Sequence, residues 1–319
     1  MRKSKKCVQV GAVLVVLLLL AAASAGGQTK DQVIQDLRAH ADTLTRHDID
    51  AFAATLTDDF MSDNVSAKPR NKSEMVAAIG TMLKNSPTLQ NFQGGLLVSG
   101  SFAVFDECSF VMMNPKTNRQ YRIFHLDIVE LRGSKVKVMT TFGDAAAGNV
   151  ALGVIEPPVP APPIRLTRVF PTPAPEPTWL PPAAALNQAL SRFNSHDLAS
   201  MAKMLGEDAR VMISPLLDEV GRDAYIAWLE VIFTAFPDLT FTPIRSFDMG
   251  DGWAVSEVTM TGTQKGPYLG HASSGKPIKL RAAYLGRYDA KGLATIIKLY
   301  YDSLNILTQL GYQPVSAQQ

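Results

Sequence analysis

The chain has 319 residues, with 31 lysines and arginines against 29 aspartates and glutamates, and it contains two cysteines. Four of the basic residues lie in the first six positions, and without them the charge is slightly negative, so nucleic acid is not an expected partner. Cys7 directly follows this basic start, and Cys108 is the only cysteine after residue 25, which excludes an intrachain disulfide in that part of the chain.

Residues 1–25 have the pattern of a signal peptide. The basic start is followed by an apolar run at 13–20 and by Ala23-Ser24-Ala25, the small residues that a signal peptidase requires. The apolar run is short for a bilayer-spanning helix, which favours cleavage over a stable membrane anchor. We therefore expect a secreted or periplasmic bacterial protein.

The rest of the chain is an internal repeat of domain size. His47-Asp48 recurs as His196-Asp197 in a matching stretch. The apolar positions that recur at helical spacing are Val76, Ile79 and Leu83 in the first copy and Ile226, Leu229 and Phe233 in the second. The copies differ in one hairpin, where residues 112–120 are replaced by the longer 262–277. We interpret the second copy as the candidate active domain and the first as a shortened, supporting relative.

Residues 156–182 separate the copies and hold eleven of the chain's twenty prolines. Because proline lacks an N–H and fixes φ, this segment predicts a semi-rigid extended spacer, although a proline-recognising partner is an alternative. The expected division is a first domain at 28–146, a Pro-rich linker at 147–182 and a second domain at 183–315.

Each copy opens with amphipathic helices and closes with strands. The expected strands are 121–131 and 135–142 in the first copy, and 253–263, 278–288 and 294–301 in the second. A final helix at 304–310 ends at Gly311. Helices covering one face of an antiparallel meander make each copy an α+β domain.

Four segments of the second copy occur in a characteristic order. They are Phe236-Pro237-Asp238-Leu239, then Gly266-Pro267-Tyr268-Leu269-Gly270, Ser274-Gly275-Lys276, and Tyr300-Tyr301-Asp302. This order and spacing resemble the SnoaL-like polyketide cyclase (ester cyclase) family across residues 183–312. The first copy resembles only the broader nuclear transport factor 2-like superfamily, as a degenerate member. The resemblance implies two tandem cone-shaped domains, each with three helices packed on a curved antiparallel sheet around an apolar cavity.

The resemblance implies that Asp302 is the general acid and base of a cofactor-free aldol closure. Its position between the last strand and the final helix equally suits a helix N-cap, or an ion pair with Lys298. His271, in the loop that precedes the penultimate strand, is a candidate for orienting a substrate carbonyl or relaying a proton. The alternative is a solvated loop histidine.

Six further residues of the second copy are candidate ligand contacts. They are Tyr268, Tyr284, Arg281, Trp228, Phe233 and Trp253. Tyr284 and Arg281 equally suit a packed or dimer-facing surface. For Trp228, Phe233 and Trp253 a place in the core is the favoured alternative.

The first copy carries its own pair, His125 and Asp127, which resembles a base with an orienting carboxylate. Residues two apart on a strand lie about 6–7 Å apart, so we expect an exposed polar face instead. His47 and His196 recur in a helix–helix turn, which favours a structural role.

We recognise no cysteine–histidine cluster, phosphate loop, serine elbow or carboxylate-rich metal loop, and expect neither a cofactor nor a metal. The sequence thus predicts an exported protein whose second domain binds a small apolar carbonyl compound. It would catalyse aldol cyclisation, isomerisation or hydration through Asp302. The alternative is a non-catalytic ligand-binding or dimerisation module outside the cytoplasm, with a homodimer through the sheet implied by the resemblance.

Overall fold

The computed structural model describes residues 29–65, 68–113, 118, 120–151, 180–214 and 217–313. The expected signal peptide and most of the Pro-rich linker lie outside these residues. Within them, no helix has the length and apolar character needed to cross a membrane.

Each half of the chain folds as helices followed by a sheet, which confirms the expected α+β class. In the first half the elements are α1 (Lys30–Thr45), α2 (Ile49–Ala54), β1 (Leu56–Ser62), β2 (Arg70–Asn71), α3 (Lys72–Asn85), β3 (Gln90–Phe92), β4 (Gly95–Ser99), β5 (Phe102–Met113), β6 (Gln120–Arg132), β7 (Lys135–Gly143) and α4 (Ala145–Ala151). In the second half they are α5 (Pro182–Asn194), α6 (Leu198–Ala202), β8 (Leu205–Ser214), β9 (Leu217–Gly221), α7 (Arg222–Ala235), β10 (Thr240–Gly250), β11 (Trp253–Thr263), β12 (Pro277–Tyr288), β13 (Ala294–Tyr300) and α8 (Ser303–Leu310).

The two sheets have nearly the same topology. The first has the strand order β2-β1-β7-β6-β5-β3, with β4 also paired to β5, and the second has the order β10-β11-β12-β13-β8-β9. Neighbouring strands are antiparallel except for β1 with β7 and β8 with β13, which are parallel. The sheets are therefore antiparallel as expected, apart from one parallel pair in each, in which β1 or β8 lies beside the last strand of its sheet.

The two repeated histidines have the structural role that the sequence favoured. His47 and His196 both adopt a left-handed conformation with φ of 56°. Nε2 of His47 lies 2.9 Å from the carbonyl of Leu89, and Nε2 of His196 lies 2.6 Å from that of Leu239. Each ring ties the helix–helix turn to the segment after the third helix.

Each sheet packs its concave face on its own helices and its other face on the opposite domain. Buried side chains of both sheets form one shared apolar cluster. Its members are Val104, Leu126, Ile128, Phe142, Met249, Val255, Ala283, Leu285 and Tyr300. The two domains are therefore joined back to back through their sheets.

Ion pairs surround this apolar contact. Arg245 of the second domain pairs with Glu130 of the first at 2.5 Å, and Arg281 pairs with Asp63 at 2.7 Å. Both arginines also bind the buried carboxylate of Glu257, at 2.7 Å for Arg245. Because both arginines bind the carboxylate of Glu257, the two interdomain ion pairs form one network.

Candidate functional site

The first domain encloses a cavity of about 280 Å³ between its helices and the concave face of its sheet. The apolar part of the wall includes Leu44, Phe52, Ile79, Met82 and Phe105. The polar part includes His40, Arg70, Asn91, Gln93, Cys108, His125, Asp127 and Thr141. A mostly apolar wall with a few convergent polar groups is typical of a small-molecule site.

Three polar side chains meet on the concave wall of this cavity. Cys108 of β5 lies directly opposite His125 of β6, and Asp127 follows on the same face of β6. All three are buried, and their ligating atoms lie within 4.8 Å of one another. Both the expected exposed face and the expected absence of a cysteine–histidine cluster are therefore wrong. The reason is that this strand face points into the cone, where sequence-distant residues converge.

The contacts of Asp127 orient its carboxylate. The hydroxyl of Thr141, directly opposite on β7, donates a hydrogen bond of 2.5 Å to Oδ1. Oδ2 lies 3.4 Å from Nε2 of His125. This separation exceeds the usual N–H···O distance of about 2.7–3.2 Å. The pair is therefore close enough for electrostatic attraction, but it is not joined by a hydrogen bond of normal length.

Stacking rather than hydrogen bonding fixes the imidazole of His125. Its ring lies 4.6 Å from that of Phe110, nearly parallel to it. Nδ1 is buried and has no hydrogen-bond partner among the described residues. Buried polar groups nearly always have partners, so this unpaired nitrogen marks His125 as a candidate binding residue of the cavity.

Burial sets the protonation of two neighbouring groups. It lowers the pKa of His40 to about 4, although the negative charge of Asp127 opposes this, and His40 is therefore neutral at pH 7. Nδ1 of His40 lies 2.6 Å from the hydroxyl of Thr55. Burial also raises the pKa of the Cys108 thiol far above its usual range, reinforced by the charges of Asp127 and Asp106. In the free protein Cys108 is therefore a neutral thiol and a poor nucleophile.

The corresponding cavity of the second domain is almost filled. Its volume is about 20 Å³, which is room for about one water molecule. Its wall is apolar and aromatic, and includes Phe193, Trp228, Phe236, Tyr268 and Tyr301. The larger cavity thus lies in the first domain, contrary to the interpretation of that domain as merely supporting.

Strand pairing shows why the second domain lacks the polar cluster. The interface pair Val104–Ile128 corresponds to Val255–Leu285 in the second sheet. Counting from these pairs matches Cys108, His125, Asp127 and Thr141 with Val258, Ala282, Tyr284 and Leu299. Each of these four polar residues of the first domain therefore has an apolar or aromatic counterpart in the second.

One helix position in the cavity walls differs greatly in side-chain size between the two domains. The third helices, α3 and α7, have the same length, and they align so that Ala78 corresponds to Trp228. Ala78 lines the large cavity, whereas the much larger Trp228 lines the small one. A single small residue thus helps keep the first cone open.

Asp302 is the N-cap of α8. Its Oδ1 accepts hydrogen bonds from the backbone N–H groups of Leu304 at 3.0 Å and Asn305 at 3.3 Å. The same oxygen accepts a 3.2 Å bond from the N–H of Ala145 in the first domain. Asp302 is not among the residues that line either of the two cavities. These contacts are those of the capping alternative, and the acid–base role stays a prediction.

His271 lies in the loop between β11 and β12. Its ring stacks on Tyr312 at 4.0 Å, and its backbone forms a bridge with Tyr268. Gln264 holds this loop together, since its amide binds the carbonyls of Gly266 and Ala272. His271 is partly exposed and is also absent from the walls of the two cavities.

Three of the predicted ligand contacts, two tyrosines and one arginine, lie in different surroundings. Tyr268 lines the small cavity, and Tyr284 is buried against Tyr225. Arg281 lies on the other face of β12, where it pairs with Glu257 and Asp63 in the interdomain network. The structure therefore does not bring these three side chains together.

The three remaining predicted contacts also separate. Trp228 lines the small cavity. Phe233 stacks on His196 at 4.1 Å, beside the helix–helix turn. Trp253 packs at the domain interface, with Nζ of Lys298 5.8 Å from its ring.

Sequence reasoning missed most of the large cavity. His125 and Asp127 could be found from the sequence, because they are polar residues two apart on a predicted strand. Nothing in the sequence indicates that Cys108 lies beside them. The register of β5 with β6 depends on a bulge between Phe105 and Cys108, which no local pattern announces.

Comparisons with known proteins agree with this architecture. The SnoaL-like polyketide cyclase family model matches residues 184–310, and a SnoaL-like domain model matches residues 37–139. The first copy thus matches a SnoaL-like model, which is more specific than the superfamily resemblance expected for it. No curated protein sequence matches the chain.

Several solved structures are similar to one domain of this chain. AclR from Streptomyces galilaeus is 19% identical and covers 43% of this chain and 100% of its own, with a TM-score of 0.39. IdmH from Streptomyces antibioticus is 20% identical over 41% of this chain and 98% of its own, with a TM-score of 0.37. TsrD from Streptomyces laurentii is 24% identical over 41% and 97%, with a TM-score of 0.36. The two family models together identify the chain as a tandem pair of SnoaL-like domains.

Proposed function

We propose that this protein binds a small, mostly apolar carbonyl compound in the cavity of its first domain and moves protons on it with His125 and Asp127. The observation that carries this proposal is the contrast between the cavities. The first has about 280 Å³ and a buried polar cluster, and the second has about 20 Å³ and an aromatic filling.

The chemistry follows from the positions of the two side chains. A ketone held with its α-carbon against Nε2 of His125 would lose a proton to the imidazole. The carboxylate of Asp127, at 3.4 Å, stabilises the resulting imidazolium, and Thr141 holds that carboxylate in place. Return of the proton to another carbon completes an isomerisation. In an aldol closure the enolate instead attacks a second carbonyl of the same substrate, and the imidazolium of His125 then gives its proton to the alkoxide that forms.

This proposal moves the candidate site from the second domain to the first. Asp302 is held by three backbone N–H groups at the domain interface, whereas His125 and Asp127 line a cavity with room for a ligand. The second domain then serves as a packed partner of the first.

A solvatochromic aromatic ketone, 6-propionyl-2-(dimethylamino)naphthalene, tests both parts of the proposal. Its emission shifts to shorter wavelength in an apolar cavity, which reports binding. Exchange of its α-hydrogens for deuterium in D₂O, followed by mass spectrometry, reports proton transfer. We expect binding, and exchange above the rate of the free dye.

Two variants identify the base. His125→Gln should reduce the exchange rate about 100-fold or more while the dye still binds, because a positioned base contributes roughly 10²–10⁴-fold. Asp302→Asn, which retains a capping oxygen, should leave exchange unchanged. Loss of exchange in Asp302→Asn but not in His125→Gln would return the site to the second domain.

A non-catalytic binding protein is the second candidate function. The neutral Cys108 thiol and neutral His40 favour it, since neither supplies a charged nucleophile or acid to the cavity. Dye binding without accelerated exchange would support this alternative.

Export is part of the proposal. The leader at 1–25 supports it, and N-terminal sequencing of the protein recovered from its host tests it. A mature chain that still begins at Met1 would contradict export with cleavage.

A further inference from the structure

We propose that Cys108, His125 and Asp127 form a binding site for a divalent transition metal, with zinc the best match, in the wall of the first-domain cavity. This inference does not depend on the proposed acid–base function. It rests on the positions and hydrogen bonds of three side chains.

Each of the three side chains contributes a different kind of metal-binding atom, and these atoms lie close together. A thiol, an imidazole nitrogen and a carboxylate oxygen lie within 4.8 Å of one another, and all three residues are buried. They come from two adjacent strands, which hold them in fixed register. A rigid sheet is the kind of support that a metal site requires.

Hydrogen bonding leaves the converging atoms free. Thr141 occupies Oδ1 of Asp127, and Oδ2 is left facing Nε2 of His125. Nδ1 of His125 has no partner among the described residues. A cation bound between Nε2 of His125 and Oδ2 of Asp127 would take one lone pair from each of these atoms.

The separation of Nε2 of His125 and Oδ2 of Asp127 fits a tetrahedral zinc site. Zinc binds imidazole nitrogen and carboxylate oxygen at about 2.0–2.1 Å, which places two such ligand atoms about 3.3 Å apart. Nε2 of His125 and Oδ2 of Asp127 are 3.4 Å apart. That distance is too long for a good hydrogen bond but suits two ligands of one ion.

The ligand set selects the kind of metal. A thiolate with imidazole and carboxylate favours zinc over magnesium or calcium, which prefer oxygen ligands only. Zinc displaces the thiol proton when it binds, so the thiolate, the carboxylate and the ion together are neutral. A neutral complex is compatible with the burial of all three ligands.

Three protein ligands leave the fourth position open towards the cavity, as in zinc sites that keep a water or a substrate. The affinity is expected to be modest, because Nδ1 of His125 lacks the acceptor that usually orients a zinc-bound histidine. Missing contacts of this kind weaken metal binding by roughly 10–100-fold.

Zinc binding and proton transfer by His125 exclude each other, since both use Nε2. The metal is therefore expected to act as an inhibitor of the proposed chemistry. Direct metal binding can be measured without any organic ligand, so a failure here and a failure of the proposed function are separate results.

The experiment uses the full chain with Cys7→Ser, so that Cys108 is the only thiol. Protein stripped with a chelator is titrated with zinc alone by calorimetry, and the rate of Cys108 labelling by a thiol reagent is followed with and without zinc. We expect one zinc per chain and slower labelling of Cys108 when zinc is bound. Cobalt should give a thiolate-to-metal absorption band.

Matched variants decide the assignment. Cys108→Ser and Asp127→Asn should each weaken zinc binding at least tenfold, whereas His271→Ala, a histidine outside the cluster, should bind like the parent. Circular dichroism establishes that each variant is folded. Absence of binding by the folded parent, or binding that Cys108→Ser leaves unchanged, would overturn the proposal.

Discussion

Burial makes His40 a pH-sensitive residue of the first domain. Its pKa in the folded protein is about 4, against 6.5 for an exposed histidine. Between these values the unfolded chain binds a proton that the folded protein does not, so stability must fall as the pH falls. The difference corresponds to about 3 kcal/mol of unfolding free energy between pH 7 and pH 4.

Urea denaturation at a series of pH values checks this prediction. His40→Gln keeps a polar group near Thr55 but cannot titrate. Between pH 7 and pH 4 the variant should therefore lose about 3 kcal/mol less unfolding free energy than the parent protein. The same pH dependence in the variant and the parent would show that His40 is not responsible.

Within the elements, the bulge in β5 connects the cavity to the second domain. Asp106 and Glu107 lie in this bulge, immediately before Cys108, and both pair with Nζ of Lys298 from β13. The hydroxyl of Tyr300 donates to Asp106 at 3.0 Å. Burial raises the pKa of Asp106, although Lys298 opposes this. The second domain thus supplies the charge that holds the bulge in place.

Replacing Lys298 by methionine keeps the length of the side chain but removes its charge. Because Asp106 then remains buried without a cation, we expect unfolding to cost about 3–5 kcal/mol less. Asp106→Asn in the same chain should restore much of the loss. Urea denaturation measures both, with the exposed Lys279→Met as a control near zero. A loss below about 1 kcal/mol for Lys298→Met would contradict this account.

Local patterns predicted some elements well and others not at all. Asp48 and Asp197 cap their helices with carboxylates that accept from the N–H groups of Ala51 and Ser200, and such caps are readable from sequence because capping depends on neighbours along the chain. β1 was not predicted, since its burial follows from pairing with β7 rather than from a strict alternation. The site was misplaced for the same reason, because strand register brings Cys108 to His125.

At the scale of the whole molecule, the two domains of one chain pack on each other through their sheets. The sheet faces of the two domains cover each other, so a homodimer through the sheet would need the face that is already buried. We therefore predict that the full chain is a monomer at micromolar concentration. Size-exclusion chromatography with light scattering measures this, and a mass of two chains would contradict it.

The central claim is that the ligand site lies in the open cone of the first domain and not in the filled cone of the second. Ala78→Trp places in the first domain the residue that its counterpart has at this position, and Trp228→Ala makes the reciprocal change. The most direct measurement is binding of the naphthalene ketone to both folded variants by fluorescence titration. The account predicts at least tenfold weaker binding to Ala78→Trp and unchanged affinity for Trp228→Ala. Unchanged binding to Ala78→Trp would contradict it.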